Sequence, residues 1–173
     1  MKKFTFILIL FLTLSSICYA RTTTSARISQ ARIVIGGIKL GDDMETVLKI
    51  LGKPSKYTHE DKAMHSGEAM DIWYYNQFRS NYAIEVTFNV GSVCDVSVTQ
   101  INEKINLKTL DGLGVGDSEY LIRKIYGEPS ESYSSNDDGK TYVYRSTKSD
   151  YEALIFTVRN GAIYRMFISV ELI

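Results

Sequence analysis

The stretch that decides the fold reads GIKLGD at residues 37–42, and a close copy, GLGVGD, stands at residues 112–117. Each is followed by a helical pattern and then by a turn, which reads GKPS at 52–55 and GEPS at 127–130. The two stretches are 75 residues apart, and several residues recur at that same offset. Self-similarity at a fixed period indicates repetition of one structural unit. We therefore expect a chain built from two tandem units.

A short capped helix is predicted after each glycine turn. Asp42 is a good N-cap residue in the first unit, and Asp117 holds the same place in the second. Apolar residues spaced three and four apart form one stripe on each helix, and Gly52 and Gly127 end the stripes. Helices this short are not stable alone in water. The sequence therefore predicts that both helices pack on a sheet.

Alternating apolar residues predict a three-stranded antiparallel meander after each helix. These strands are expected at 72–78, 82–90, 93–99, 141–146, 151–159 and 162–170. Asn160-Gly161, between two alternating strands, is a strong hairpin signal. The predicted fold class is α+β, with two helix-plus-meander units whose sheets join into one curved sheet that has the helices on one face.

The same alternation predicts which residues lie under the helices. They are Ile84, Val86, Phe88, Cys94, Val96, Val98, Leu154, Phe156, Val158, Tyr164, Met166 and Ile168. The opposite face is expected to be polar in the first unit and mixed in the second. It should carry Glu85, Thr87, Asn89, Asp95, Ser97, Ile155, Thr157, Arg159, Ile163, Arg165 and Phe167.

The chain is expected to divide into a signal peptide at 1–20, a flexible segment at 21–32, a first unit at 33–99, a connector at 100–111 and a second unit at 112–173. Lys2 and Lys3 precede an apolar run that is too short to span a bilayer, which is typical of a signal peptide. Ile17 stands before Cys18, where lipid attachment requires a small residue, so cleavage is favoured over a lipid anchor. No later stretch is apolar and long enough to span a bilayer. We expect an exported protein, periplasmic or extracellular.

The composition and motifs favour a protein that is not an enzyme. Lysine plus arginine and aspartate plus glutamate each number 20, so the chain lacks the basic surplus of a nucleic-acid-binding protein. No Gly-x-Ser-x-Gly elbow is present, and both histidines lie in one loop, so no triad is indicated. The turn glycines lack the Gly-Lys-Ser/Thr of a phosphate-binding loop. We expect no catalytic residues, no cofactor and no metal.

Three features leave alternatives open. His59 and His65 lie in an acidic loop that could hold a divalent metal, although the second unit has no counterpart histidines. NDDG at 136–139 faintly resembles a calcium loop but lacks its ligand spacing. Cys94 is either a small buried hydrophobe or a reactive thiol. The alternative function is therefore a small-ligand or metal-binding exported protein that uses the 58–71 loop.

The order of motifs resembles a known family. Gly-x-x-x-Gly-Asp, a short helix, Gly-x-Pro-Ser, the Trp73-x-Tyr75 strand and a glycine hairpin are similar to the β-lactamase-inhibitor-protein-like fold. That fold also occurs in the small outer-membrane lipoprotein of the β-barrel assembly machinery. The resemblance covers 33–173 and implies a sheet face that grips a protein partner, either inhibitor-like or envelope-assembly-like. On this chain the face would carry Trp73, Tyr75, Glu85, Thr87, Asp95, Ile155, Arg159, Arg165 and Phe167.

Overall fold

The computed structural model describes residues 26–61, 67–79, 81–100, 106–135 and 139–170. In chain order the elements are β1 (Val34–Ile35), β2 (Ile38–Lys39), α1 (Met44–Leu51), β3 (Lys56–Glu60), β4 (Met70–Phe78), β5 (Asn81–Asn89), β6 (Ser92–Thr99), α2 (Glu119–Tyr126), β7 (Glu131–Ser135), β8 (Gly139–Arg145), β9 (Glu152–Arg159) and β10 (Ala162–Val170). Neither helix in these segments is long and apolar enough to cross a membrane. The predicted signal peptide lies outside the described residues.

One antiparallel sheet of eight strands, in the order β3-β4-β5-β6-β10-β9-β8-β7, forms most of the fold. The predicted α+β class, with two helix-plus-meander units, is therefore wrong: the chain is mainly β, with two short helices. The physical reason is that two further strands, β3 and β7, pair at the edges of a sheet of eight strands, whereas each helix is only eight residues long. The sequence pattern also missed the edge strands β3 and β7. Both are polar and five residues long, so they show no apolar alternation.

A β-bulge in β6 changes which residues face the helices. Phe88 pairs with Val93 and Thr87 pairs with Asp95, which leaves Cys94 as the extra residue between them. An extra residue shifts the alternation of the strand. Val93 is consequently buried in the core, whereas Cys94, predicted for the core, is half-buried. Burial raises the pKa of the Cys94 thiol to about 11, which disfavours the reactive thiolate.

A second bulge lies in β10. Ile163 pairs with Val158 and Arg165 pairs with Thr157, so Tyr164 is the extra residue. Ile163, predicted for the opposite face, is therefore fully buried, and Tyr164, predicted for the core, is only half-buried. The other predicted helix-facing residues are buried, which confirms the alternation elsewhere. They are Ile84, Val86, Phe88, Val96, Val98, Leu154, Phe156, Val158, Met166 and Ile168.

Both helices begin one residue later than predicted. Asp43 caps α1 and Ser118 caps α2, each accepting a hydrogen bond from a backbone N–H of the first turn. Asp42 and Asp117 instead accept a hydrogen bond from the backbone N–H three residues earlier. These two aspartates therefore close the glycine turns, and the neighbouring residue caps the helix.

Residues 26–32, assigned from sequence to a flexible segment, are packed in the structure. Ile28 is only 2% exposed, and its N–H donates to the carbonyl of Arg145 at 2.9 Å. The guanidinium of Arg32 lies 4.5 Å from the centre of the Tyr126 ring and bonds to Asp111 at 2.9 Å. This segment therefore adds to the core of the second half of the chain.

Candidate functional site

The candidate site is the side of the sheet that faces away from the helices. Both helices pack into one core cluster, through Val47 of α1 and Ile122 of α2. We call the opposite side the open face; no helix of the described segments packs there. One row of paired residues crosses it, with one residue from each strand in turn from β7 to β3. The row is Glu131, Val143, Ile155, Phe167, Ser97, Glu85, Tyr74 and Lys56.

Seven of the nine residues predicted to contact a partner lie on the open face, because their pairing places them on the side opposite the core. They are Glu85, Thr87, Asp95, Ile155, Arg159, Arg165 and Phe167. They come from β5, β6, β9 and β10, which are neighbours in the sheet. The β6–β10 pairing therefore joins residues from both halves of the sequence into one surface.

Trp73 and Tyr75 do not belong to this surface. Their strand positions put them on the core side, where they are 9% and 4% exposed. The Trp73 ring centre lies 4.7 Å from that of Phe88. The hydroxyl of Tyr75 donates to the carbonyl of Gly52 at 3.3 Å, at the end of α1. Both aromatic residues therefore belong to the core, and Tyr75 also contacts the end of the helix that covers it.

A cavity of about 280 Å³ opens on the open face near β7. We call it the aromatic–arginine cavity; it is lined by Tyr133, Thr141, Thr157, Arg159, Tyr164, Arg165 and Phe167. Three of these residues, Tyr133, Thr141 and Tyr164, were not placed on this face by the sequence. Tyr164 reaches it because of the β10 bulge, and Tyr133 lies on the edge strand that the pattern missed. An alternation pattern carries no signal for either event.

Each arginine in the cavity stacks on an aromatic ring. The guanidinium carbon of Arg159 lies 4.0 Å from the centre of the Tyr164 ring. That of Arg165 lies 4.9 Å from the Phe167 ring, and its Nε donates to the hydroxyl of Ser97 at 2.8 Å. Ser97 is only 4% exposed. The Arg165 side chain is therefore held in place from two sides.

A small apolar cluster lies beside the cavity. Val143, Ala153 and Ile155 are at most 2% exposed, although they lie on the open face. Phe167 packs against them and is itself half-buried. The open face therefore has an apolar centre on β8, β9 and β10, which the polar residues of β5 and β6 flank.

Asp95 is the acidic residue at the middle of the open face. It is half-buried, and burial is the largest cause that raises its pKa to about 6. The Ser169 hydroxyl and the charge of Arg165 lower the pKa of Asp95, and Glu85 raises it. The ionised form of Asp95 is therefore less stable in the folded protein than it would be in water.

The predicted metal-binding loop is only partly described. His59 lies on β3, where its Nδ1 is 2.8 Å from Asp71 Oδ1 and its Nε2 is 3.2 Å from Asp61 Oδ1. The hydrogen bond to Asp71 is the largest cause that raises the pKa of His59. His65 and NDDG residues 136–138 lie outside the described residues. Over the described segments no three His, Cys, Asp or Glu side chains are grouped to hold a metal ion.

Among protein-family models and curated proteins, none matches this sequence. Solved structures do resemble the fold. A cysteine-rich secretory protein from Staphylococcus aureus is 13% identical, with a TM-score of 0.50 over 84% of this chain and 49% of that one. An extracellular protein containing a SCP domain from Bacillus anthracis is 15% identical, with a TM-score of 0.44 over 76% and 44%. A Streptococcus mutans protein proposed to be a β-lactamase inhibitor protein is 18% identical, with a TM-score of 0.32 over 85% and 91%. The chain thus spans less than half the length of the first two, and identities this low show a likeness of fold alone.

Proposed function

We propose that this protein is an exported, non-enzymatic binding module that holds a protein partner on the open face of its sheet. The observation that carries the proposal is the aromatic–arginine cavity, which lies on the face that the helices leave uncovered. Export is supported by the signal-peptide pattern of residues 1–20. The periplasm and the extracellular space are the compartments that this pattern implies.

The residue types of the cavity are those that dominate binding energy at protein interfaces. Arginine and tyrosine are enriched among hot-spot residues, and they act best beside apolar contacts that exclude water. Arg165 is already held by Ser97 and Phe167 before any partner arrives. A side chain held in its bound geometry loses less conformational entropy on association. Arg165 should therefore lose little conformational entropy when a partner binds at the aromatic–arginine cavity.

The layout of the open face also resembles that of a protein interface. Such interfaces have an apolar core with a polar rim, and bury roughly 800 Å² on each partner. Here Phe167 and the cluster beneath it form the apolar core, and Glu131 and Lys56 lie on the edge strands. Eight strands spaced about 4.8 Å apart span roughly 34 Å, which is wide enough for a contact of that size.

Both partner types that the sequence resemblance implies are proteins held on a sheet face. One is an enzyme that is inhibited, and the other is a component of envelope assembly. The metal or small-ligand alternative in the 58–71 loop remains a separate prediction, because residues 62–66 of that loop lie outside the described residues.

Site-specific photo-crosslinking in the producing cells tests the proposal. Benzoylphenylalanine replaces Tyr133, which is 57% exposed and lines the cavity, or Tyr120, which is 70% exposed and lies on α2. The two substitutions are matched in parent residue and in exposure. We expect a discrete protein adduct from position 133 and none from position 120. Equal adducts at both positions, or no adduct at 133, would contradict the proposal.

A further inference from the structure

We propose that the partner inserts an acidic side chain, an aspartate or a glutamate, into the aromatic–arginine cavity. This inference rests on the proposed function, because it names the chemistry by which the open face recognises its protein. It goes beyond that function because a module of this kind could equally bind through apolar contacts alone.

The charge of the cavity lining is the first argument. Among the described residues that line it, Arg159 and Arg165 are charged and none is acidic. The remaining polar groups are the hydroxyls of Tyr133, Thr141 and Thr157 together with that of Tyr164. Hydroxyl groups can donate to a carboxylate, and arginine binds carboxylates through two parallel N–H bonds. The lining therefore offers donors and positive charge to an anionic group.

The stacking of the arginines is the second argument. A guanidinium that lies over an aromatic ring uses its flat face, and its N–H groups point outward in the plane. The guanidinium carbon of Arg165 lies over the Phe167 ring, 4.9 Å from its centre. Among the described residues, Arg165 donates a hydrogen bond from Nε to the Ser97 hydroxyl. Its two Nη amino groups do not take part in that bond. These two amino groups are the donors that an incoming carboxylate would use.

The surroundings favour the carboxylate of a protein over a phosphate. Asp95 lies on β6, the strand beside β10, and Glu85 lies on β5, one strand further away; Asp95 is close enough to Arg165 for their charges to interact. A phosphate would carry a larger negative charge into this field, whereas a single carboxylate is balanced by one arginine. Phe167 and Tyr133 at the cavity provide apolar contact for the flanking side chains of a polypeptide. The cavity of about 280 Å³ is also at the small end for a separate ligand, since such pockets are about 300 to 1,000 Å³.

Two peptides test this chemistry on the purified protein. The first is acetyl-Gly-Ser-Phe-Glu-Tyr-Ser-Gly-amide, and the second differs only by glutamine in place of glutamate. Binding is followed at millimolar peptide by the NMR signals of the arginine Nε–H groups. We expect the glutamate peptide to shift the Arg165 signal and to bind about tenfold more tightly than the glutamine peptide. Equal affinity, or no binding of either peptide, would overturn the inference.

Inorganic phosphate is the third probe. If phosphate shifts the Arg165 signal at a lower concentration than the glutamate peptide does, the cavity binds free anions. That result would also overturn the inference. The variant Arg165→Gln should lose about tenfold in affinity for the glutamate peptide, and Arg165→Lys should lose less because it keeps the charge. Arg123→Gln is the matched control. Arg123 also stacks on a ring, that of Tyr142 at 5.3 Å, but it lies on α2.

The crosslinking experiment separates this inference from the proposed function. With benzoylphenylalanine at position 133, the added Arg165→Gln substitution should reduce the adduct about tenfold, whereas Arg123→Gln should leave it unchanged. An adduct that persists in the Arg165→Gln protein would refute the acidic anchor but keep the binding face. The absence of any adduct in the parent protein would instead refute the proposed function. Circular dichroism of each variant confirms that it is folded.

Discussion

Replacing Asp95 with asparagine removes a carboxyl group whose ionisation lowers the stability of the folded protein. Asp95 is half-buried in the middle of the open face, beside Glu85 and the Ser169 hydroxyl. Asparagine has nearly the same shape and can keep a hydrogen bond to Ser169. The substitution therefore removes the charge with little change in packing. We expect it to stabilise the protein at neutral and alkaline pH.

The magnitude follows from the pKa of Asp95, which rises from 3.8 to about 6 in the folded protein. Two units at about 1.36 kcal/mol each give roughly 3 kcal/mol, and partial exposure to solvent reduces this to about 2 kcal/mol. Between pH 4 and 6 the folded state binds more protons than the unfolded state, so stability falls as the pH rises through this window. The cost is absent below pH 4 and complete above pH 7. Asp95→Asn should thus match the parent protein near pH 4 and exceed its stability at pH 8.

Urea unfolding at pH 4, 6 and 8 measures this difference. The expected gain for Asp95→Asn is about 2 kcal/mol at pH 8 and close to zero at pH 4. Glu60→Gln, which also replaces a carboxylate with an amide but at an exposed position on β3, is the control substitution. A gain that is the same at all three pH values would refute the reasoning, because it would not come from proton binding. A loss of stability at pH 8 would show that the charge of Asp95 is favourable.

Three further substitutions test the packing. Val90→Asn in the β5–β6 turn should raise the free energy of unfolding by about 1 kcal/mol, because Val90 is 77% exposed and has a φ of 49° that suits asparagine better; an unchanged urea midpoint would contradict this. Tyr144→Phe removes the hydroxyl that donates to the Gly127 carbonyl at 3.0 Å, and should cost about 1 kcal/mol in urea unfolding; a neutral result would mean that water replaces the bond. Gly139→Ala should lower the melting temperature strongly and cost at least about 2 kcal/mol, because its Cβ would lie 2.2 Å from the Val158 carbonyl oxygen at a φ of +81°; a melting temperature equal to that of the parent would refute the clash.

Sequence reasoning identified the parts of the fold that depend on patterns of residues close together along the chain. The hairpin strands β5, β6, β9 and β10 show apolar alternation, and Asn160 and Gly161 take the left-handed conformations that a tight hairpin turn requires. The buried positions follow the same alternation up to the bulges. Of the residues that line the cavity, the sequence pattern placed Thr157, Arg159, Arg165 and Phe167 on the correct face, because they alternate with core residues on one strand pair.

The bulges were not predictable because a contact distant in sequence accompanies them. The N–H of Val93 donates to the Asp42 carbonyl, and the Val93 carbonyl accepts from the N–H of Gly41, each at 2.8 Å. The start of β6 is therefore bound to the turn before α1, more than fifty residues earlier. The equivalent bonds join Ile163 of β10 to the turn before α2. Alternation within a strand carries no information about such a contact.

The amino-acid sequence by itself determined the helices, the central hairpins and most of the core, because each depends on residues that are close along the chain. Tertiary structure alone decided which strands join the two halves of the sheet, since the β6–β10 pairing brings together residues about seventy positions apart. It also decided which aromatic residues reach the open face. Trp73 and Tyr75 are held in the core by strand pairing, and Tyr164 reaches the cavity through a bulge. Burial depends on which face a residue occupies, and that is set by contacts between strands.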